Sequence, residues 1–255
     1  MSAPTRAAGA RIRPLDMAAL MAQPEHRAAY RIDRFAQDGA LTILAAKGGS
    51  GKSWLGMAAC AAVQAGAPLA GIPVERGPAV YVDAEMGGRQ LADRFRVAGI
   101  RADAFGVLDA LGLDIGAPGG VGHLTDELRA TGARLVVLDS LRKLAPAMKE
   151  NESDDMGGLL ASLTLMARSL GAAVLLIHHA GHGERFTRGS SAIRDQVDAL
   201  FGLERDGDAL QLSCSPARGG KFRLDVEPED RQLRLAVGET PGVIVAEAQA
   251  PAAVA

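Results

Sequence analysis

The sequence predicts a three-layer α/β domain built on a mainly parallel sheet and extended by C-terminal antiparallel hairpins. Two features of the first part of the chain point there. Strand, loop and helix recur four times before the hairpin region. The runs Leu135–Leu138 and Ala173–Ile177 are apolar on both faces, the pattern of strands buried in the middle of a parallel sheet. From Leu200 onward the pattern changes to short alternating segments, which reads as hairpins.

The length of 255 residues suits one large domain with small appendages. Residues 1–29 mix Ala, Arg and Pro and read as an N-terminal arm that is disordered or packs on a neighbouring subunit. Residues 30–240 form the domain and 241–255 an Ala-rich tail. Within the arm, Asp16 to Ala22 has a short helical pattern stopped by Pro24. Arg31 to Asp38 then leads into a first strand, Leu41 to Ala45, and Trp54 to Ala65 reads as a helix closed by Gly66.

After Gly77-Pro78 comes a second strand, Ala79 to Asp83, and then a helix from Arg89 to Ala98 ending at Gly99. Phe105 to Leu111 is a further strand candidate with Asp109 inside it. Pro118-Gly119-Gly120 reads as loop, and Leu124 to Ala130 as a helix stopped by Gly132. The run Leu135–Leu138 ends in Asp139-Ser140. In the acidic stretch Asn151 to Asp155, Ser153 is placed to cap a helix with Leu159, Leu160, Leu163 and Met166 on one face, ending at Gly171. Ala173 to Ile177 ends in His178-His179. Four late segments, Leu200–Leu203, Leu210–Cys214, Phe222–Val226 and Leu233–Val237, read as antiparallel strands.

The first strand empties into Lys47-Gly48-Gly49-Ser50-Gly51-Lys52-Ser53-Trp54. Glycines there let the backbone turn its N–H groups inward around a polyphosphate. Lys52 is placed for the β- and γ-phosphates and the Ser53 hydroxyl for Mg²⁺. Ala46 stands where the phosphate-loop pattern has its first glycine, so the strand before and the helix after must carry the assignment. Hydrolysis of ATP also needs a metal held and a water aligned. Asp139, at a strand end, is the candidate metal ligand, with a helix cap as its bland alternative. Glu85 is the candidate for orienting the water, and would lie beside the γ-phosphate if its strand neighbours the first; Asp83 is the competing carboxylate.

His178 and His179 end a strand, and side chains alternate there, so at most one of them reaches a nucleotide to sense its γ-phosphate. With His182 they also spell H-H-x-x-H, but zinc sites of that kind need a helix and an intervening glutamate. Arg188, in R-G-S-S, and Arg218, in R-G-G-K, lie on basic loops. Each can place a guanidinium on a neighbouring subunit's phosphate, or be a solvated turn.

Together, A-K-G-G-S-G-K-S, Y-V-D-A-E-M, L-V-V-L-D-S-L, V-L-L-I-H-H-A-G and R-G-S-S-A-I-R-D resemble the RecA-like P-loop ATPases typified by the plasmid replicative hexameric helicase RepA family. The resemblance spans roughly residues 30 to 235. It implies a RecA-like core assembled as a homo-oligomeric ring with ATP between subunits, and DNA, single-stranded, as partner. It also implies Glu85 as catalytic carboxylate, Asp139 as metal ligand, His178 and His179 as sensor and Arg188 as a finger acting in trans. The late K-x-R element of many relatives is incomplete, since Pro216 holds the lysine position and Arg218 remains.

Two other readings compete. K-G-G-S-G-K-S also fits the partition ATPases typified by ParA and MinD, with Lys47 as signature lysine. The other is a nucleotide-binding assembly protein without hydrolysis or helicase activity. A formal net charge of −2 and pI near 6.2 exclude a strongly basic nucleic-acid footprint, though not a local patch or one built by a ring. Cys60 and Cys214 are isolated and suit a reducing compartment. With no long apolar run and no leader pattern, the expectation is a cytoplasmic protein away from membranes.

Overall fold

The computed structural model describes residues 14–22, 29–148, 153–179, 193, 196–206, 209–215, 232–237 and 244–245. Its strands are β1 (Tyr30–Ile32), β2 (Ala36–Gln37), β3 (Leu41–Ala46), β4 (Ala79–Asp83), β5 (Gly106–Asp109), β6 (Leu135–Asp139), β7 (Ala173–His179), β8 (Ala199–Asp206), β9 (Ala209–Ser215), β10 (Gln232–Val237) and β11 (Ile244–Val245). The helices are α1 (Met17–Met21), α2 (Lys52–Ala65), α3 (Gly88–Val97), α4 (Gly120–Thr131), α5 (Leu141–Leu144) and α6 (Ser153–Leu170).

Strands β1 and β2 form a small antiparallel pair ahead of the main sheet. The main sheet has nine strands in the order β11-β10-β9-β8-β3-β7-β6-β4-β5. Strands β8, β3, β7, β6, β4 and β5 are mutually parallel, and β9, β10 and β11 continue the sheet antiparallel. Parallel neighbours put all their C-terminal ends on one edge, where ligands of open α/β sheets bind.

Two apolar layers cover the sheet. Leu55, Met57 and Val63 of α2 and Leu91 and Phe95 of α3 pack on one face with Leu44, Tyr81, Val137, Leu175 and Ile177. On the other face, Leu124 and Leu128 of α4 and Leu160 and Leu163 of α6 pack with Ile43, Val82, Leu138 and Leu176. Both faces being covered is why the central strands lack alternation. Helix α2 comes very close to the sheet at Gly56, where a Cβ would stand 3.0 Å from Val137 Cγ1 and 3.3 Å from Ile177 Cδ1. That contact seats the start of α2 against the strand ends.

Several elements differ from the sequence reading. Segment Leu200–Leu203 belongs to β8, which is not an antiparallel strand with respect to β3. It begins on the same side of the sheet as β3, with Ala199 opposite Thr42, and only its β9 side is antiparallel. Strand β5 closes at Asp109 because that carboxylate accepts the Leu111 N–H at 3.0 Å. Helix α4 starts at Gly120, just past Gly119 in a left-handed conformation, so the sequence placed its start late. Ser153 is the first helical residue of α6 rather than the residue before it. Segment Phe222–Val226 lies outside the described residues. Among the described residues no helix is long and apolar enough to cross a membrane.

Candidate active site

The loop between β3 and α2 is shaped by glycine. Gly49 (φ 76°) and Gly51 (φ 95°) occupy left-handed backbone regions that residues with a Cβ rarely adopt. Open space lies where a Cβ on Gly48 or Gly49 would point. Ala46, by contrast, stays in β3, buried and opposite His179. That position keeps strand geometry, so alanine serves where the sequence pattern asks for glycine.

Lys52 opens α2 and is 5% exposed. Its Nζ donates to the carbonyls of Ala46 and Lys47, both at 2.7 Å, closing the loop on itself. Burial lowers its pKa, and the nearby charges of Asp139 and Glu85 offset part of that. The α2 N-terminus, capped by Gly51 without a side-chain hydrogen bond, brings its positive dipole end to the same loop. Lys47 itself is exposed. Trp54, in the first turn of α2, packs partly against the core, with the Arg94 guanidinium 5.1 Å from its ring centroid.

Strand parity decides what meets the loop. Tyr81, Val137 and Ile177 face α2, so Asp139 and His179, two residues further on in β6 and β7, do too. Asp139 is 1% exposed. The Tyr81 hydroxyl donates to its Oδ2, the Ser53 hydroxyl lies within hydrogen-bonding reach, and Oδ1 has no hydrogen-bond partner among the described residues. Burial raises the Asp139 pKa, Tyr81 and Ser53 pull it down, and the charges of Glu85 and Asp83 add to the rise. Burial, and then the Asp139 charge, raise the Tyr81 pKa well above its usual value, which keeps that phenol a donor.

A buried carboxylate with one oxygen unpartnered, beside a serine hydroxyl, fits a divalent cation of the Mg²⁺ kind, which prefers oxygen ligands. Asp139 and Ser53 are the residues that would hold it.

The raised pKa also bears on stability. The protonated form of Asp139 is the one the fold favours; that advantage is complete below the unfolded pKa and lost as pH rises through the folded one. Once the pH exceeds the folded pKa, the buried charge therefore costs stability. Asp139→Asn is expected to melt above the unmodified protein at pH 7 to 8 without nucleotide, with the gap closing as pH falls through the folded pKa. Thermal melts across that range check it, and a lower melting temperature at neutral pH would contradict it.

Glu85 does not stand beside the loop by strand adjacency, because β7 and β6 lie between β4 and β3. It gets there by a turn. Asp83 at the end of β4 accepts the N–H groups of Glu85 (3.1 Å), Met86 (3.0 Å) and Gly87 (2.7 Å), which folds the chain back over β6. Ala84 N–H joins that turn to the Asp139 carbonyl at 2.8 Å. Ser140 Oγ donates to Glu85 Oε2 at 2.7 Å, and His179 Nε2 lies 3.5 Å from the same oxygen. Burial pushes the Glu85 pKa up, but Ser140, His179 and Lys143 outweigh it, so the net shift is downward and the carboxylate is charged at neutral pH. Asp83, the competing carboxylate, is spent on its own turn.

Of the two histidines expected at the site, only His179 faces it. His178 is 2% exposed and its neighbours in parity, Val174 and Leu176, pack on the opposite face. Arg188, Arg218 and His182 lie outside the described residues. Among the described residues no three His, Cys, Asp or Glu side chains cluster as a metal site. Tyr81 and Ser140 escaped the sequence reading. Tyr81 did leave a signal, since a phenol in a wholly buried strand requires a partner.

A glycine-bent loop, its lysine and two carboxylates, one ending a strand and one carried in by a turn, on a parallel sheet define a P-loop ATPase of the RecA-like fold. A family model described as AAA domain matches residues 6–185, and the chain belongs to that family. Among solved structures, the KaiC-like protein of the hyperthermophilic archaeon Pyrococcus horikoshii OT3 is similar in fold, with a TM-score of 0.60 at 16% identity. The match covers 86% of this chain and 98% of that one.

Proposed function

We propose that this ATPase is Mg²⁺-dependent and serves a cytoplasmic DNA replication or processing system as a ring-forming helicase, with ATP hydrolysed between subunits. The observation that carries the enzymatic part is the convergence of Glu85, Asp139 and His179 on the mouth of the glycine loop. In this reading the loop amides of residues 48–53 and Lys52 bind the phosphates, and Ser53 and Asp139 hold the metal. Bound Mg²⁺ supplies charge neutralisation on phosphate oxygens. Glu85, charged and 32% exposed at its side chain, accepts a hydrogen bond from the attacking water and aligns it. His179 senses the γ-phosphate from the next strand tip. An arginine finger comes from a neighbouring subunit, with Arg188 and Arg218 as the candidates.

The DNA and ring parts of the proposal draw on the likeness of five motifs to the RepA helicases. Their test is the hydrolysis rate measured against single-stranded DNA concentration on protein of known oligomeric mass. The expected result is Mg²⁺-dependent turnover that rises to a plateau with DNA and is confined to the assembled species. Turnover by a monomer, indifferent to DNA, would remove the helicase reading and leave the ATPase. Absence of turnover under every condition would favour a nucleotide-binding assembly protein.

A further inference from the structure

We propose that Ser140 is a positioning residue for Glu85: its hydroxyl pins one carboxylate oxygen to the tip of β6 and leaves the other to address the attacking water. The proposal rests on the ATPase reading above. Three observations carry it.

First, the contacts on Glu85 are one-sided. Ser140 Oγ donates to Oε2 at 2.7 Å and His179 Nε2 approaches the same atom at 3.5 Å, while among the described residues no hydrogen bond reaches Oε1. Second, Ser140 sits at the N-cap position of α5, where a serine ordinarily turns its hydroxyl onto a helix N–H. Here it makes no such cap, so the hydroxyl is given to Glu85 instead. Third, both ends of this hydrogen bond are held. Ser140 is fully buried, and the backbone of Glu85 is fixed by the carboxylate of Asp83 and by the bond from Ala84 to the Asp139 carbonyl. The freedom left to Glu85 is rotation of its own side chain, and Ser140 is what removes it.

A carboxylate that must align a water loses rate steeply when it drifts, since a misplacement of about 1 Å can cost on the order of 100-fold. Ser140 acts through Glu85, so its loss should be visible only while Glu85 is able to work. It also places the sensor and the water-aligning group on one oxygen, so a phosphate that draws His179 away leaves Ser140 as the sole anchor of Oε2.

The test uses Ser140→Ala and Ser140→Thr in the full chain, each with and without Glu85→Gln, followed by single-turnover hydrolysis and nucleotide binding. Ser140→Ala is expected to slow hydrolysis by roughly 10- to 100-fold with nucleotide affinity unchanged. Ser140→Thr, which keeps the hydroxyl, restores most of the rate. In the Glu85→Gln background Ser140→Ala adds nothing, because there is no longer a working carboxylate to place. A full additional loss in that background, or a loss of nucleotide affinity matching the loss of rate, would overturn the assignment. Crystal structures of the parent and Ser140→Ala proteins give a readout independent of turnover. Glu85 should leave the β6 tip in the variant while the Asp83 turn stays in place, and an unchanged Glu85 rotamer refutes the proposal. If the parent protein hydrolyses nothing, the ATPase reading fails alone and the crystal comparison decides what Ser140 does.

Discussion

Lys52→Ala is expected to lower ATP hydrolysis by at least about 100-fold, the loss typical of removing one preorganised donor from a developing phosphate charge. Nucleotide binding should weaken as well, since the ammonium is the one side-chain charge seated inside the loop. It donates to the Ala46 and Lys47 carbonyls at 2.7 Å each, which holds the ammonium at the mouth of the loop. Lys47→Ala makes the informative control. Its side chain is exposed and its carbonyl, which the substitution keeps, is the part engaged with Lys52. A change within about twofold is expected, as for other exposed positions. Equal losses for the two lysines, measured as Mg²⁺-dependent phosphate release, would move the protein to the partition-ATPase class, where the earlier lysine is essential.

Glu85→Gln is expected to separate binding from chemistry. Hydrolysis should fall by about 100- to 10,000-fold, the range that a positioned acid–base group supplies, while nucleotide affinity holds. Glutamine keeps the size of the side chain and an oxygen for the Ser140 hydroxyl, so the loss is of charge and basicity rather than of place. Single-turnover hydrolysis beside equilibrium nucleotide binding measures both. A variant that hydrolyses ATP at the parent rate would show that another group aligns the water, and Asp83 could not easily take over with its oxygens committed to three backbone N–H groups.

Much of this site was readable in the chain because its parts are local. The loop from Lys47 to Ser53 announces itself by residue type, and Asp139 and His179 by standing at the ends of apolar runs. The alternation rule even limited the two histidines to one useful member. Other features were beyond reach because they depend on contacts between distant segments. Nothing in Y-V-D-A-E-M says that Asp83 folds back on its own turn, or that this turn carries Glu85 across β6. Nothing in L-V-V-L-D-S-L says that Ser140 forgoes its helix cap.

From the residues alone came a parallel α/β sheet and a phosphate-gripping bend, since apolar runs, glycines and a lysine act through their immediate neighbours in the chain. Tertiary structure alone decided which strands lie side by side, and so which face each polar tip presents and which carboxylate remains free. The reason is physical: strand order is settled by the burial of both sheet faces at once, a quantity that no single segment carries.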